Sequence, residues 1–408
     1  MEDKITRVMV MLACVVMGLA IGLVACYNAI YQGLSASLAG SIVVSSAGES
    51  EGAAKYDEIM AIVDSYFIGD EVDETETADA MAAAVVESLG DRWSYYVSAD
   101  EYQEYLDSID NSYVGVGITI SAAYDDAGNL TGYEVVSVTE GGPAEAAGVL
   151  AGDILIAADD TSVTDISLNE VKSIVKGVEG TTVTLTFVRG DETIVLPVTR
   201  QSFTVIPASG ELLNGTVGYI EIDNFDSGCA NAVIELVQQL QAEGAQTLLF
   251  DVRNNPGGLK TELTTLLDYL LPEGTIFDSV DYTGAEEIVT SDAACVDLPM
   301  AVLVNGNSYS AAEYFACALQ EYGVATVVGE QTCGKGYFQT GIALSDGSCL
   351  NLSVGKYYTP NGISLIDVGV TPDIELTLED DLAADLAYGR LDYEDDPQLQ
   401  AALQVLMD

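Results

Sequence analysis

No histidine occurs among the 408 residues, so a Ser-His-Asp or Cys-His hydrolytic machine is excluded, as are His-ligated metal sites. A general base must then be Asp, Glu, Lys, Tyr or a chain terminus. Lysine is scarce: Lys4, Lys55, Lys172, Lys176, Lys260, Lys335 and Lys356 are the full set. Three segments carry the polar, Gly-rich breaks that suit chemistry. Residues 249–259 (LFDVRNNPGGL) form an apolar strand pattern running into a glycine turn. Residues 302–313 (VLVNGNSYSAAE) read as strand, turn and helix, and residues 334–339 read GKGYFQ.

Ser310 stands where the second segment turns from buried strand into helix. A hydroxyl there is exposed at a sheet edge, and the helix N-terminus offers partial positive charge to an oxyanion. A serine at such a place is more commonly a plain N-cap, so position alone does not make it a nucleophile. Asp251 and Arg253 read as scaffold that satisfies the polar turn. Lys260 and Lys356 are competing bases whose simpler reading is solvated surface.

The elements that must position these residues follow from periodicity. Gly218–Ile222 reads as strand, Ala230–Gln241 as helix and Thr247–Val252 as strand, the alternation of an α/β core. From Lys55 to about Ser108 the period is helical. Ala78–Leu89 is rich in strong helix formers, and Gly90 closes it as a C-cap signal. Between Tyr113 and Phe203 short β-rich stretches alternate with glycine turns.

That middle stretch has its own chemistry. Gly115-Val116-Gly117-Ile118 places two glycines in a loop just before a strand, where backbone N–H groups can converge on a carboxylate. Gly142-Pro143-Ala144, Ala147-Gly148-Val149 and Gly152-Asp153-Ile154-Leu155 follow, and then an amphipathic helix over Leu168–Val178. In this order the pieces resemble a PDZ domain. The resemblance implies that an extended peptide adds as a strand, its C-terminal carboxylate held by the loop amides. Gly142 and Gly152 read as turn formers only.

The three chemistry-bearing segments together resemble the C-terminal processing peptidases, or tail-specific proteases, from about residue 55 to the C-terminus. Further agreement comes from Leu89-Gly90-Asp91, Ser94-Tyr95-Tyr96, Tyr358-Thr359-Pro360 with Gly362, and Gly369-Val370-Thr371-Pro372-Asp373. The resemblance implies that Ser310 is the nucleophile and that Lys335, 25 residues later, is the base. Gln339 would orient the lysine amine, and the oxyanion donors would be the N–H of Ala311 and one from Gly257 or Gly258. It also implies a ClpP/crotonase-like α/β spiral for the core, with an inserted PDZ domain, a helical N-terminal region and no metal or organic cofactor. The sequence departs from the family pattern at Tyr309, where Ala is usual, at Ala312, where Ser is usual, and at the bulky Tyr337 and Phe338. A lysine base must lose a proton, so its pKa of roughly 10.4 has to fall by several units. Burial against an apolar group such as Phe338 is the expected cause.

Composition sets the limits. The chain carries 65 acids against 13 bases, a formal charge of -52, which repels phosphate backbones and argues against nucleic-acid partners. Residues 8–25 are apolar and uncharged, preceded by Lys4 and Arg7, with no base again until Lys55. This reads as a single membrane anchor with the N-terminus in the cytoplasm. A cleaved signal peptide is a rival reading, and Leu23-Val24-Ala25-Cys26 resembles a lipobox; each places the bulk outside the cytoplasm. Of seven cysteines, Cys14 and Cys26 belong to the N-terminal apolar stretch and five lie far downstream, and no C-x-x-C pair occurs. Cys333 and Cys349 flank an expected hairpin and could bridge, although buried free thiols are the commoner state.

The expected organisation is 1–33 anchor, 34–54 flexible linker, 55–112 helical region, 113–203 PDZ domain, 204–380 peptidase core and 381–408 helical C-terminal segment. The expected function is a serine endopeptidase that recognises accessible C-terminal tails of extracytoplasmic proteins and cuts through an acyl-enzyme. The alternative is a catalytically silent scaffold that binds tails through the PDZ module alone. A small-ligand carrier on the same fold would not need the lysine. Homo-oligomerisation is left open by the sequence.

Overall fold

Every residue of Met300–Val304 is apolar, the pattern of a parallel strand covered on both faces. The computed structural model describes residues 51–69, 72–125, 127–139 and 141–407, and in it this segment is the fourth strand of a six-stranded sheet. The strands run in the order Ala208–Leu213, Val217–Ile222, Thr247–Asp251, Met300–Val304, Ala325–Gly329 and Ile374–Glu375. The first pair is antiparallel and the rest are parallel. Because strand side chains alternate, Met300, Val302 and Val304 join one core and Ala301 and Leu303 another. The first core is closed by the helices Cys229–Glu243, Lys260–Leu270 and Ala311–Glu321. The second is closed by Leu399, Ala402 and Leu403 of the helix Pro397–Met407.

By internal contacts the chain divides into Met1–Ala99 with Gly341–Leu352, and Asp100–Thr340 with Ser353–Asp408. In the first body, Glu51–Tyr66 and Glu74–Glu87 are helices, the latter capped by Asp73 accepting from the N–H groups of Thr75 and Glu76. The helical period expected across 55–108 is broken by a strand at Tyr95–Val97. Its β-favouring residues gain a partner in Cys349–Asn351, which sequence-local propensity cannot see. Tyr96 Oη donates to Asp79 at 2.6 Å.

The second body holds both the six-stranded sheet and the module between 113 and 203. In that module the strands Ile118–Tyr124, Leu130–Val138, Ile154–Ala158, Thr182–Arg189 and Glu192–Thr199 form a sheet in this order. The helix Leu168–Val175 begins in a full capping box between Ser167 and Glu170. It ends before the expected Val178, because Lys176 turns to extended backbone. Buried Asp153 takes two hydrogen bonds from Arg189, at 2.6 and 2.7 Å, tying the helix Pro143–Ala147 and its following turn to the sheet. A further sheet in the second body pairs Gly274–Asp281 with Glu286–Ser291 and with residues 355–358.

The expected anchor at residues 8–25, the lipobox at Cys26 and the linker at 34–54 lie outside or almost wholly outside the described residues. Among the described residues no helix is long and apolar enough to cross a membrane. None of the five described cysteines is in a disulfide, so Cys333 and Cys349 are not bridged.

One buried network fixes the turn after the third strand of the six-stranded sheet. Arg253 bonds Asp251 at 2.6 Å, Asp396 at 2.8 Å and Gln398 Oε1 at 3.0 Å, while Tyr219 donates to Asp251 at 3.0 Å. Replacing Arg253→Met leaves two buried carboxylates without their cation. The expected loss is roughly 3–5 kcal/mol of stability, read from urea denaturation; an unchanged midpoint would show that the network carries little.

Candidate active site

Ser310 occupies the N-cap position of the helix Ala311–Glu321 but makes no capping hydrogen bond. Its backbone sits at φ 59°, ψ -121°, a left-handed conformation that costs about 1–3 kcal/mol in a residue with a Cβ. Ser167, by contrast, caps its helix with ordinary extended backbone. Ser308, two residues before, is fully buried and spent on structure, donating to Val252 O at 2.7 Å. The turn is braced from both sides: Asn254 N–H donates to Asn305 Oδ1 at 2.9 Å, and Tyr309 N–H to Asn255 O at 3.2 Å. A strained, half-buried serine freed from capping at a strand-to-helix turn is the arrangement of a nucleophile elbow.

The turn of the first segment lies directly against this serine. A Cβ on Gly257 would stand 2.7 Å from Ser310 Cβ and 2.8 Å from Ala311 N, and its φ is +90°. Only glycine allows that approach. Ala311 N–H is one of the helix's first-turn donors, unpaired within the helix itself. The expectation that Gly257 or Gly258 supplies the second oxyanion donor is narrowed. Gly257 N–H donates to Asn255 Oδ1 at 2.8 Å inside its own turn, which leaves exposed Gly258 as the better-placed of the two.

The base-bearing loop is held to the same helix by Glu313, which is 0% exposed. Its carboxylate accepts from Thr332 Oγ1, from Gly334 N–H at 2.6 Å and from Lys335 N–H at 3.1 Å. The backbone of Ser310 bonds to it as well. Burial pushes the Glu313 carboxyl up, and these four hydrogen bonds work against that rise. The loop bearing Lys335 is therefore bonded to the helix that Ser310 heads. Lys335 is half-buried, with Nζ 5.9 Å from the centre of the Tyr309 ring. Phe338, the apolar neighbour expected for it, lies over Gly355. Phe338 sits in the strand Tyr337–Ala343, whose alternation sends it to the face opposite Gln339.

Gln339 Nε2 donates to Ser353 Oγ at 3.0 Å and to Tyr337 O at 3.3 Å, which fixes the amide and leaves its Oε1 as an acceptor. Tyr357 is buried. Its hydroxyl accepts from Gly336 N–H at 3.0 Å. The competing lysines fall away: exposed Lys260 pairs with Glu287 at 2.7 Å, and exposed Lys356 stands 5.8 Å from the Tyr337 ring. Asp251 and Arg253 are the scaffold of the turn, as expected. Among the described residues no group of His, Cys, Asp or Glu is arranged to hold a metal ion.

In the 113–203 module, Val116 O accepts from Ala144 N–H at 2.8 Å and Gly117 O from Thr139 N–H at 3.0 Å. These bonds turn the two carbonyls inward. Gly117 needs its φ of +75°, whereas Gly115 ends the strand Ser112–Gly115 with no positive φ. Ile118 begins a strand that, among the described residues, lies at the edge of its sheet beside Leu130–Val138. Partly buried Ile118, Ile120 and Leu168 pack on the module's core beside that open edge.

Sequence reasoning passed over Glu313, Ser353 and Tyr357. Glu313 had a signal: it is the one acid in the wholly buried run 311–319, where a carboxylate must have fixed partners.

Residues 216–376 match the peptidase family S41 and residues 134–189 match a PDZ domain. A carboxyl-terminal-processing protease of Picosynechococcus is 33% identical over 340 residues, 81% of this chain and 80% of that one. The carboxy-terminal processing protease CtpA of Bacillus subtilis is 29% identical over 87% of this chain and 74% of its own length. A chloroplastic carboxyl-terminal-processing peptidase of Arabidopsis thaliana is 32% identical over 71% of this chain, which spans 58% of that longer protein. The fold is shared with a solved S41 protease from Bacteroides fragilis, at TM-score 0.57 and 19% identity over 83% of this chain and 92% of that one. The chain therefore belongs to peptidase family S41, and is a serine-type peptidase of the carboxyl-terminal processing kind that carries a PDZ domain.

Proposed function

We propose that this peptidase cuts peptide bonds with Ser310 as nucleophile, Lys335 as general base and Gln339 as the group that orients the lysine amine. The observation that carries the reading is Ser310 itself: strained, released from capping, and joined through Glu313 to the loop that bears Lys335. Ser310 Oγ attacks the scissile carbonyl while neutral Lys335 takes its proton. The oxyanion meets the N–H groups of Ala311 and Gly258, and the lysine then gives its proton to the departing amine. Water repeats the sequence on the acyl-enzyme, with Lys335 again taking the proton.

The module over 113–203 would select substrates. An extended C-terminal tail adds along the open edge of Ile118–Tyr124, and its carboxylate is gathered by the backbone N–H groups at Val116, Gly117 and Ile118, with Gly115 shaping the entry. The apolar run led by Lys4 and Arg7 supports a catalytic part that works outside the cytoplasm, tethered to the membrane or released from it.

Ser310→Ala and Lys335→Ala are each expected to lower peptide cleavage at least about a thousandfold while unfolding stays cooperative. Gln339→Ala should be milder. Appreciable turnover by either of the first two variants would sink the dyad and favour tail binding alone.

Glu313→Gln keeps the shape but sets an amide NH2 against the N–H donors of the 332–335 loop. A fall in kcat of about 10- to 100-fold is expected, with KM nearly unchanged. A kcat within twofold of the parent would show that the loop is held by its other contacts.

Gly117→Val cannot hold a φ of +75° without strain, and its branched side chain would meet Thr139, whose Cβ lies 3.3 Å from the position of a Cβ there. Cleavage of substrates with a free C-terminal tail should slow sharply, and a small chromogenic peptide should be affected less. Amidating the substrate C-terminus should reproduce the effect in the parent enzyme. Equal rates for amidated and free-acid substrates would rule out carboxylate capture by this loop.

A further inference from the structure

Asn111 sits at the foot of the 113–203 module, yet its side chain is bonded to the peptidase core. The chain enters and leaves the module through the paired strands Ser112–Gly115 and Gln201–Thr204. Asn111 precedes the first, and its C=O accepts from Val205 N–H, just past the second, at 2.9 Å. Its backbone is left-handed, at φ 50°, a conformation that asparagine adopts more readily than most residues. The residue is 1% exposed, so its amide must find partners within the protein. Nδ2 donates to Asn224 Oδ1 at 3.3 Å and to Ser227 O at 3.0 Å, while Oδ1 accepts from Asn224 Nδ2 at 3.0 Å. Ser227 N–H adds a bond to Ile109 O at 2.9 Å.

The 224–227 turn in its place holds the glycine turn beside Ser310. Phe225, 0% exposed, donates its N–H to Gly257 O at 2.7 Å and accepts from Leu259 N–H at 2.8 Å. Residues 225 and 258 form a parallel bridge, and a Cβ on Gly258 would lie 2.3 Å from Phe225 C. Gly257 O and Gly258 N–H belong to one planar trans peptide, so they face opposite ways. By holding Gly257 O, the Phe225 N–H therefore turns the Gly258 N–H away from Phe225. Asn224, the neighbour of Phe225, is fixed by Asn111 and by accepting from Asp226 N–H at 2.9 Å.

We propose that Asn111 is a positioning residue for the oxyanion donor: its amide pair with Asn224 fixes the Phe225 backbone, which sets the direction of Gly258 N–H. The inference rests on Gly258 being the donor that works with Ala311. Asn111 touches neither substrate nor reacting atoms and moves no proton. Without its amide, the Asn224 amide and the Ser227 carbonyl lose buried partners, and the turn that carries Phe225 shifts to recover them.

The test is Asn111→Gly, which keeps the left-handed backbone and removes only the side chain, assayed in the full chain on a small chromogenic peptide. We expect kcat to fall about 10- to 100-fold and KM to stay within twofold. The pH midpoint of kcat should not move, since the lysine loop is not on this path; a displaced midpoint overturns the proposal. A peptide aldehyde gives the second readout. Ser310 Oγ adds to its carbonyl carbon, the serine proton passes to Lys335, and the former carbonyl oxygen takes the oxyanion position. Its inhibition constant should rise by about the factor by which kcat/KM falls. A variant that only folded less would lose active enzyme and keep that constant. A lower kcat with an unchanged constant therefore overturns the proposal, as does a kcat within twofold of the parent. Should Asn111→Gly fail to fold, Asn224→Ala, which leaves the bond from Asn111 to Ser227, is read in the same way. The donor assignment has its own check: the Gly258 N–H proton signal should move downfield when the parent enzyme takes up the aldehyde. A signal that stays in place would fail Gly258 as donor, and the proposal with it, whatever Asn111→Gly does to the rate.

Discussion

A carboxylate removed from water costs several kcal/mol unless donors replace its hydration. Glu313 is in that position, wholly inside the second body, and its donors come from two places far apart in the chain. One is the backbone of Ser310, at the head of its own helix; the others are Thr332, Gly334 and Lys335. The same group that would be costly if left alone therefore sets how the serine and the lysine loop face one another. Thr332 extends the network, since its Oγ1 also accepts from Val370 N–H at 2.7 Å. The 365–370 segment is drawn in, and Asp367 N–H reaches Gly334 O at 2.9 Å.

A second buried charge system supports the other wall of the site. Arg253, bonded to Asp251 and Asp396, ties the turn carrying Gly257 and Gly258 to the start of the helix Pro397–Met407. That turn must hold its backbone against Ser310 with no side chain between them. Precision of this kind is hard to obtain from apolar packing, which tolerates sliding, and a guanidinium between two carboxylates defines direction as well as distance. Catalytic geometry in this protein thus rests on polar bonds placed inside an apolar α/β core.

The module over 113–203 follows a different logic. Its sheet is closed by its own hydrophobic core and leaves the edge of Ile118–Tyr124 open. An open edge is ordinarily a liability, and beside a loop whose carbonyls are turned inward it suits an incoming strand. The backbone offers peptide pairing there, and the partly buried apolar side chains offer selectivity.

The strand, turn and helix around Ser310 were legible because apolar runs, glycines and helix formers are local signals. The missing histidine and the short roster of lysines narrowed the chemistry before any fold was known. Lys335 and Gln339 acquired roles only through resemblance, since nothing in their own neighbourhood ties them to residue 310. The packing of Phe338 over Gly355 was not legible in the sequence, because it depends on the pairing of Tyr337–Ala343 with Cys349–Tyr358. The break in the N-terminal helical period at Tyr95–Val97 has the same origin in a distant partner.

The sequence by itself determined which residue types could react, where the main strands and helices of the core lie, and that a PDZ module precedes an α/β core. Tertiary structure decided that Ser310 is strained and uncapped, that buried Glu313 holds the loop of Lys335, and that the Tyr357 hydroxyl is bonded to Gly336. Such facts depend on buried polar groups finding partners beyond their own turn, 22 residues apart for Glu313 and Lys335 and 145 for Arg253 and Gln398. Local propensity carries no record of such partners, because the cost of leaving them unpaired arises only when the core closes.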